Sequence, residues 1–283
     1  MTSEVTVVVM TRNRWPDLRR SLPRHPAPVI LVDNCSSDGT AALVRRHFPD
    51  IEVVELAANA GAAARNVGVR RARTPYVAFA DDDSWWAPGS LESAAALFRS
   101  HPRLGLVAGR VLVGEAETPD PLCTSMATSP LGTDADLPGP SVLGFLACGA
   151  VVRRDAFLEA DGFDTVVFFM GEEDRLALDL ASRGWGLSYV DSLVACHHPS
   201  PARDATARRA LDARNKLLTA VMRRPWSVVM GEVTRLYSSD RAGRIALRHA
   251  LPRLPHALAR RRRLPARVEA ARRLLETNEE PWG

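Results

Sequence analysis

Apolar residues in this chain fall into short, β-branched runs separated by stretches with a helical period. "VTVVVM" (Val5 to Met10) is continuous rather than alternating, the pattern of a strand buried on both faces of a parallel sheet. "WPDLRRSL" predicts a helix after it, with Pro16 suited to a first turn, and "PVILVD" (Pro28 to Asp33) repeats the strand signature. The turn-rich "NCSSDGT" follows, where Ser37 or Asp38 can cap a helix over "TAALVRRHF". "IEVVEL", the helix "AGAAARNVGVRRA" and the strand "YVAFA" complete four strand–helix alternations in about eighty residues, the pattern of a doubly wound sheet. Farther on, "SLESAAALFRSHP" and "GEEDRLALDLASRGW" read as helices, and "LGLVAGRVLV" and "LSYVDSLVACHH" as strands. Glu117 to Pro140 is rich in Pro, Gly and Thr without periodicity, which predicts a mobile segment beside a binding site.

In doubly wound sheets, ligands bind beyond the carboxyl ends of the strands. Thr11, Asp33 and the triplet Asp81, Asp82 and Asp83 close three of the predicted strands, so all should lie on that one edge. Three adjacent carboxylates repel and are costly to desolvate, so they require a cation, a turn full of backbone donors, or open water. A hard divalent cation, Mn²⁺ or Mg²⁺, would suit the oxygens, and a solvated acidic turn is the plain alternative. "NAGAAARNVG" (Asn59 to Gly68) puts small residues where a helix begins, so that backbone could approach a ligand and Arg65 could meet a phosphate or carboxylate; close helix packing would also explain them. Of Trp85 and Trp86, core packing is expected for at least one.

Charge adds a division along the chain. Residues 1–198 hold 18 Lys+Arg against 25 Asp+Glu, whereas residues 199–283 hold 19 against 8. An acidic body with a basic tail, in which Leu247, Leu251, Leu254 and Leu258 recur at helical spacing with Pro252 and Pro255 interrupting it, points to an anionic surface as partner. The expected division is residues 1–200 as the catalytic domain and 201–283 as a basic helical region. No apolar run reaches the ~18–20 residues of a membrane span, and the N-terminus lacks a leader pattern, so a cytoplasmic location is expected, with peripheral contact to the inner face of the plasma membrane through the tail. Cys35, Cys123, Cys148 and Cys196 show no C-x-x-C spacing and predict free thiols.

Taken in order, "VTVVVMTRNR", "VDNCSSDGT", "NAGAAARNVG", "FADDDSW", "GFDTVVFFMGEEDRLALDLASRG" and "CHHPSP" resemble the family 2 glycosyltransferases over roughly residues 4–200. The resemblance implies a GT-A fold, Rossmann-like with a mostly parallel central sheet flanked by helices, here with a basic helical C-terminal extension. It also implies an inverting, metal-dependent transfer from a UDP- or dTDP-sugar to a hydroxyl of a glycan, lipid-linked or small-molecule acceptor, of the kind used in cell-wall assembly; nucleic acid is not an expected partner. Thr11 and Asp33 would contact the nucleoside, Asp81 the ribose and the metal, and Asp83 the metal directly, with His197 or His198 completing its shell. Asp82 counts with the donor-binding residues without a task of its own. Asp174 would be the base that takes the acceptor's proton, with Glu173 as its nearest rival for the role. Acids that merely favour a helix start are the alternative for "GEED", and a surface histidine patch for "CHH". Arg214 and Asn215 resemble a further family element near the donor phosphates.

Two rivals make distinct predictions. A sugar-phosphate nucleotidylyltransferase should carry a glycine-rich loop after the first strand, where this chain reads "TRNRWPDL". A catalytically silent sugar-nucleotide-binding module should bind donor without turnover and ignore Asp174→Asn.

Overall fold

A computed structural model describes residues 3–199 and 205–278. Both the 200/201 boundary and the end of "CHHPSP" lie outside the described residues. The chain runs β1 (Val5–Thr11), α1 (Trp15–Ser21), β2 (Val29–Asp33), α2 (Thr40–His47), β3 (Glu52–Glu55), α3 (Ala64–Arg71) and β4 (Tyr76–Asp81). These four strands pair in parallel in the order β3-β2-β1-β4, the doubly wound half predicted from the alternation. After them come β5 (Ser84–Trp86), α4 (Ser90–Ser100), β6 (Leu104–Val113), β7 (Thr118–Pro119), α5 (Pro121–Ala127), β8 (Ala150–Arg153), α6 (Arg154–Glu159), α7 (Glu172–Ser182) and β9 (Gly186–His197). They extend the sheet to β3-β2-β1-β4-β8-β6-β9-β5, with β8 antiparallel to both its neighbours and β7 paired to β6.

The continuous apolar runs are explained by burial on both faces. Along β1, Val8 packs with Val32 and Phe79 on one side of the sheet, while Val5, Val7 and Val9 pack with Leu31, Ala78 and Phe98 on the other. Burying such a side chain contributes roughly 1.5–3 kcal/mol, so both layers hold the strand in place. Trp86 is fully buried and its Nε1–H donates to the Phe79 carbonyl at 3.1 Å, which makes it the core member of the tryptophan pair.

Three local expectations change. The segment from Glu117 to Pro140 contains β7 and α5; Asp120 caps α5 by accepting from the Leu122 N–H at 2.9 Å, and Cys123 and Met126 are buried beneath it. At seven residues this helix is too short to show periodicity. Gly39, not Ser37 or Asp38, occupies the cap of α2 at φ 81°, while Asp38 accepts from the Thr40 N–H at 2.9 Å. Pro252 and Pro255 open helical turns instead of breaking one.

The basic region folds as α8 (Ala205–Arg223), α9 (Trp226–Ser238), α10 (Arg241–Ala250), α11 (Leu254–Ala259) and α12 (Ala266–Asn278). Leu217, Leu218, Met222, Val229 and Leu236 form a separate apolar cluster that also receives Val166 and Val167. Leu247 and Leu254 pack against it, whereas Leu251 and Leu258 are exposed.

Candidate functional site

Strand register assembles the site. β1 pairs Thr11 with Asp33 of β2 and Met10 with Asp81 of β4, so the polar strand ends align on one edge. β5 runs antiparallel to β9 and pairs Ser84 with His197, which brings a histidine from far along the chain to the aspartate turn. That turn is closed by the Asp81 N–H donating to Ser84 Oγ at 2.8 Å, so the three carboxylates point into different surroundings. One ligand atom each from Asp81, Asp83 and His197 lie within 4.8 Å of one another, and His197 Nε2 is 3.3 Å from Asp83 Oδ1. Two carboxylates and an imidazole form a donor set that fits Mn²⁺ and also accepts Mg²⁺. His198 is placed differently: its N–H donates to the Asp83 carbonyl at 2.9 Å, and its ring lies 4.8 Å from that of Trp85, whose face also carries Arg24 at 4.2 Å.

Asp82 is held apart from this group. Its side chain accepts from the Thr11 hydroxyl at 3.2 Å and its carbonyl from Ser21 Oγ at 2.7 Å, and the Arg14 guanidinium stands 3.6 Å from Asp82 and 3.9 Å from Asp83. Burial, then the charges of Asp83 and Asp81, push the Asp82 carboxyl up to about 7, with Arg14 opposing them.

Arg65 joins this cluster to the second one. It is buried at 2% exposure on the first turn of α3, donates to Asp81 through Nη2 and lies 3.7 Å from Glu172 through Nη1. The carboxylate that it meets is thus internal. α7 opens with Glu172, Glu173 and Asp174, and the helix sends them in three directions. Glu172 points inward to Arg65, and burial raises its pKa against the pull of that arginine. Glu173 is held well above the usual carboxylate range, first by burial and then by Glu172. Asp174 is more open: its carboxylate lines a cavity of about 640 Å³ and stands 3.7 Å from Arg272 of α12. Cys148 lies buried within the fields of Asp81, Asp83, Arg65 and Glu173, and burial pushes its thiol up, so it stays neutral between the acids.

Other predicted residues have local duties. Thr11 is buried on Asp82, and the Asp33 carboxylate accepts from both the N–H and the hydroxyl of Ser36. Gly61, at φ +60°, permits a close approach, but to backbone: a Cβ there would sit 2.2 Å from the Phe168 carbonyl oxygen, which instead accepts from the Ala62 N–H at 2.6 Å. Gly68 lets α3 pack directly on Val8. Arg214 and Asn215 are buried and clamp the loop before α7; Arg214 donates to the Val167 carbonyl at 3.1 Å, and Asn215 to those of Phe169 and Met170 at 2.6 Å. That loop enters α7 through left-handed conformations at Phe168, Met170 and Gly171, which these bonds hold in place.

Sequence reasoning did not single out Arg14, the inward role of Glu172, or Arg272. The first two lie inside quoted motifs, "TRNR" and "GEED", and a cation for three acids could have been sought in the first of them. Arg272 is one of many tail arginines and carries no local signal.

Comparison with known proteins gives a consistent result. The family described as "Glycosyl transferase family 2" matches residues 6–160. A pre-mycofactocin glycosyltransferase of Mycobacterium tuberculosis is 34% identical over 73% of this chain, although the match spans 45% of that relative's length. An N-acetylglucosaminyl-diphospho-decaprenol L-rhamnosyltransferase of the same species is 27% identical over 74% of this chain and 81% of its own. Among solved structures, a mannosyltransferase from Pyrobaculum calidifontis in complex with GDP-Man and Mn²⁺ aligns at TM-score 0.60 with 21% identity, over 99% of this chain and 77% of that one. Staphylococcus aureus TarS 1–349 in complex with UDP aligns at 0.59 with 18% identity, over 98% and 86%. At these identities the structures speak for the fold alone, which is the GT-A fold. With more than half its length under the family model and a relative above 30% identity along 73% of it, the chain belongs to glycosyl transferase family 2.

Proposed function

We propose that this chain transfers a sugar, with inversion, from a nucleotide-diphosphate sugar to an acceptor hydroxyl. The observation that carries the reading is the pairing of the Asp81, Asp83 and His197 donor group with a second acidic cluster, linked to it by Arg65, whose Asp174 opens into a cavity. Asp81, Asp83 and His197 would hold Mn²⁺ or Mg²⁺, which supplies Lewis-acid stabilisation of a departing diphosphate. Thr11 and Asp33 flank the nucleoside end of the strand edge. Arg65 keeps Asp81 oriented, and Arg14 contributes positive charge beside Asp82 and Asp83. Asp174 accepts the proton of the attacking hydroxyl; it lines the cavity, whereas Glu173 does not and has its carboxyl pKa raised by burial and by Glu172. The similar solved structures in complex with GDP-Man and Mn²⁺ and with UDP support this reading.

The acceptor is proposed to be lipid-linked or part of a surface glycan, in line with the decaprenol-linked substrate in one relative's name. The helical region from residue 201 is proposed to adjoin the cytoplasmic face of the plasma membrane. Among described residues no helix is long and apolar enough to cross a membrane. Among the described residues, six of the seven exposed large apolar side chains nevertheless lie between the start of α9 and the end of α12, with Trp226, Met230 and Tyr237 along α9, in a region rich in arginine.

A thermal-shift panel of UDP-, dTDP- and GDP-sugars with and without Mn²⁺ tests the reading. One donor should raise the melting midpoint only with metal present. No shift with any of them would sink it. Sedimentation of the full chain with anionic vesicles, abolished by Trp226→Asp with Met230→Asp, tests the membrane contact.

A further inference from the structure

We propose that α12 belongs to the acceptor site: Arg272 positions the Asp174 carboxylate, and the cavity between α5 and α12 receives an apolar part of the acceptor. The inference rests on the reading of Asp174 as the base, and joins α12, which lies beyond the matched segment 6–160, to residues within it.

Asp174 and Arg272 meet through Oδ2 and Nη2 at 3.7 Å, with side chains 29% and 14% exposed. Both side chains line the cavity, and the carboxylate is the more exposed of the two. At this separation the pair is a charge contact rather than a hydrogen bond, so the cation orients the carboxylate while leaving its oxygens available to an acceptor hydroxyl. A bidentate grip would occupy those oxygens and weaken the base.

Arg272 is itself held in place. Its Nε donates to Glu276 at 3.2 Å; Glu276 accepts from the buried Arg224 at the end of α8, which also donates twice to Glu269 at 3.0 Å. Beneath this network Val268 of α12 packs with Leu143 and Leu178 of the catalytic body, with Leu275 against them. α12 is thus fastened by ions on one side and apolar contact on the other, and the Arg272 position follows from both.

The cavity that Asp174 and Arg272 share is walled by Leu122 and Met126 of α5, by Leu143 and Phe145, and by Leu275 of α12. A free sugar would leave that wall wet. An acceptor whose sugar adjoins an apolar group would cover it, with its hydroxyl at Asp174.

The test uses the full chain and a double-mutant cycle of Arg272→Gln and Asp174→Asn, with Arg272→Lys alongside. Donor affinity is measured by calorimetry in Mn²⁺, turnover as metal-dependent release of nucleoside diphosphate with water as acceptor, and the melting midpoint for every variant. Arg272→Gln should leave donor affinity within about twofold and lower turnover about 10- to 100-fold, as a misplaced catalytic group does. Arg272→Lys should recover most of this loss, and Arg272→Gln should cost nothing further once Asp174 is Asn. Equal losses in both backgrounds, or undiminished turnover, would overturn the positioning role. No donor binding by the unaltered chain would defeat the functional reading and this inference with it. For the cavity, octyl glucoside below its micelle concentration should change the rate of nucleoside diphosphate release, by excluding water or by accepting the sugar itself, at a concentration at least about tenfold lower than glucose, a difference that Leu275→Asp should erase. Equal potency of the two would overturn the apolar subsite.

Discussion

The molecule carries two runs of three acids, and they solve the same electrostatic problem differently. Asp81, Asp82 and Asp83 sit on a strand end and a tight turn, where alternation and the turn direct one to Arg65, one to Thr11 and Arg14, and one to His197. Glu172, Glu173 and Asp174 sit on a helix start, where the rotation per residue sends one to Arg65, one into a desolvated position and one to the cavity and Arg272. In the first run Asp81 and Asp83 converge again, with His197, on a group of donors that suits a cation, while Asp82 stays apart. In the second all three stay apart, and Asp174 lines the cavity. Among the described residues Arg65 is the buried cation that touches both.

The strongest way to break the comparison is therefore to remove that cation. Arg65→Met should leave Asp81 and Glu172 facing each other without a buried partner and cost about 3–5 kcal/mol of stability, read by denaturant unfolding. A loss below about 1 kcal/mol would mean that the clusters are independently satisfied. Next come substitutions that separate the two runs. Asp174→Asn should lower turnover about 10²- to 10⁴-fold with donor affinity intact. Asp83→Asn should instead abolish the Mn²⁺-dependent gain, about 2.7 kcal/mol at a hundredfold excess over Kd. If both variants lost metal response, the division of labour would fail.

A smaller perturbation acts on the second run alone. A Cβ at residue 144 would sit 3.2 Å from Asp174 Oδ1, at a backbone conformation that any residue tolerates. Gly144→Ala should shift the carboxylate by a few tenths of an ångström and lower turnover by up to about tenfold, with the melting midpoint unchanged. Unaltered turnover would show that the Asp174 position is not finely set.

Much of this was legible in the sequence because it rests on local pattern. Continuous apolar runs foretold the parallel half of the sheet, and the polar residues closing them align on one edge as expected, since a strand places its last residue predictably. What escaped depends on contacts between distant segments. Arg65 was noticed, but its partners could not be read from it, because Glu172 reaches it only through the fold of the loop that Asn215 clamps. Small residues at Gly61 and Gly68 spoke for close approach without saying to what, and the structure answers with Phe168 and Val8. α5 was too short to announce itself. Arg272 was one arginine among nineteen basic residues in the tail, and nothing nearby distinguishes it.

The finest distinction between the runs should appear as a pH dependence. In the metal-free fold the Asp82 carboxyl is raised from 3.8 to about 7, and that of Glu173 lies well above 4.5. Between about pH 4 and 7 the folded chain thus keeps a proton on Asp82 that the unfolded chain has released, so the stability from this group is full on the acid side and falls as pH rises through that window; Glu173 acts in the same direction. The two contributions differ in cause. Repulsion from Asp83 and Asp81 adds to burial at Asp82, whereas Glu173 is raised by burial and Glu172. A cation at Asp81 and Asp83 offsets the first repulsion and leaves the second untouched. Melting midpoints across that pH range should therefore decline less steeply with Mn²⁺ than without, and Asp82→Asn should flatten the metal-free curve to the same degree. An identical slope with and without Mn²⁺ would mean that the aspartate turn does not feel the ion, and the contrast between the two acidic runs would then rest on geometry alone.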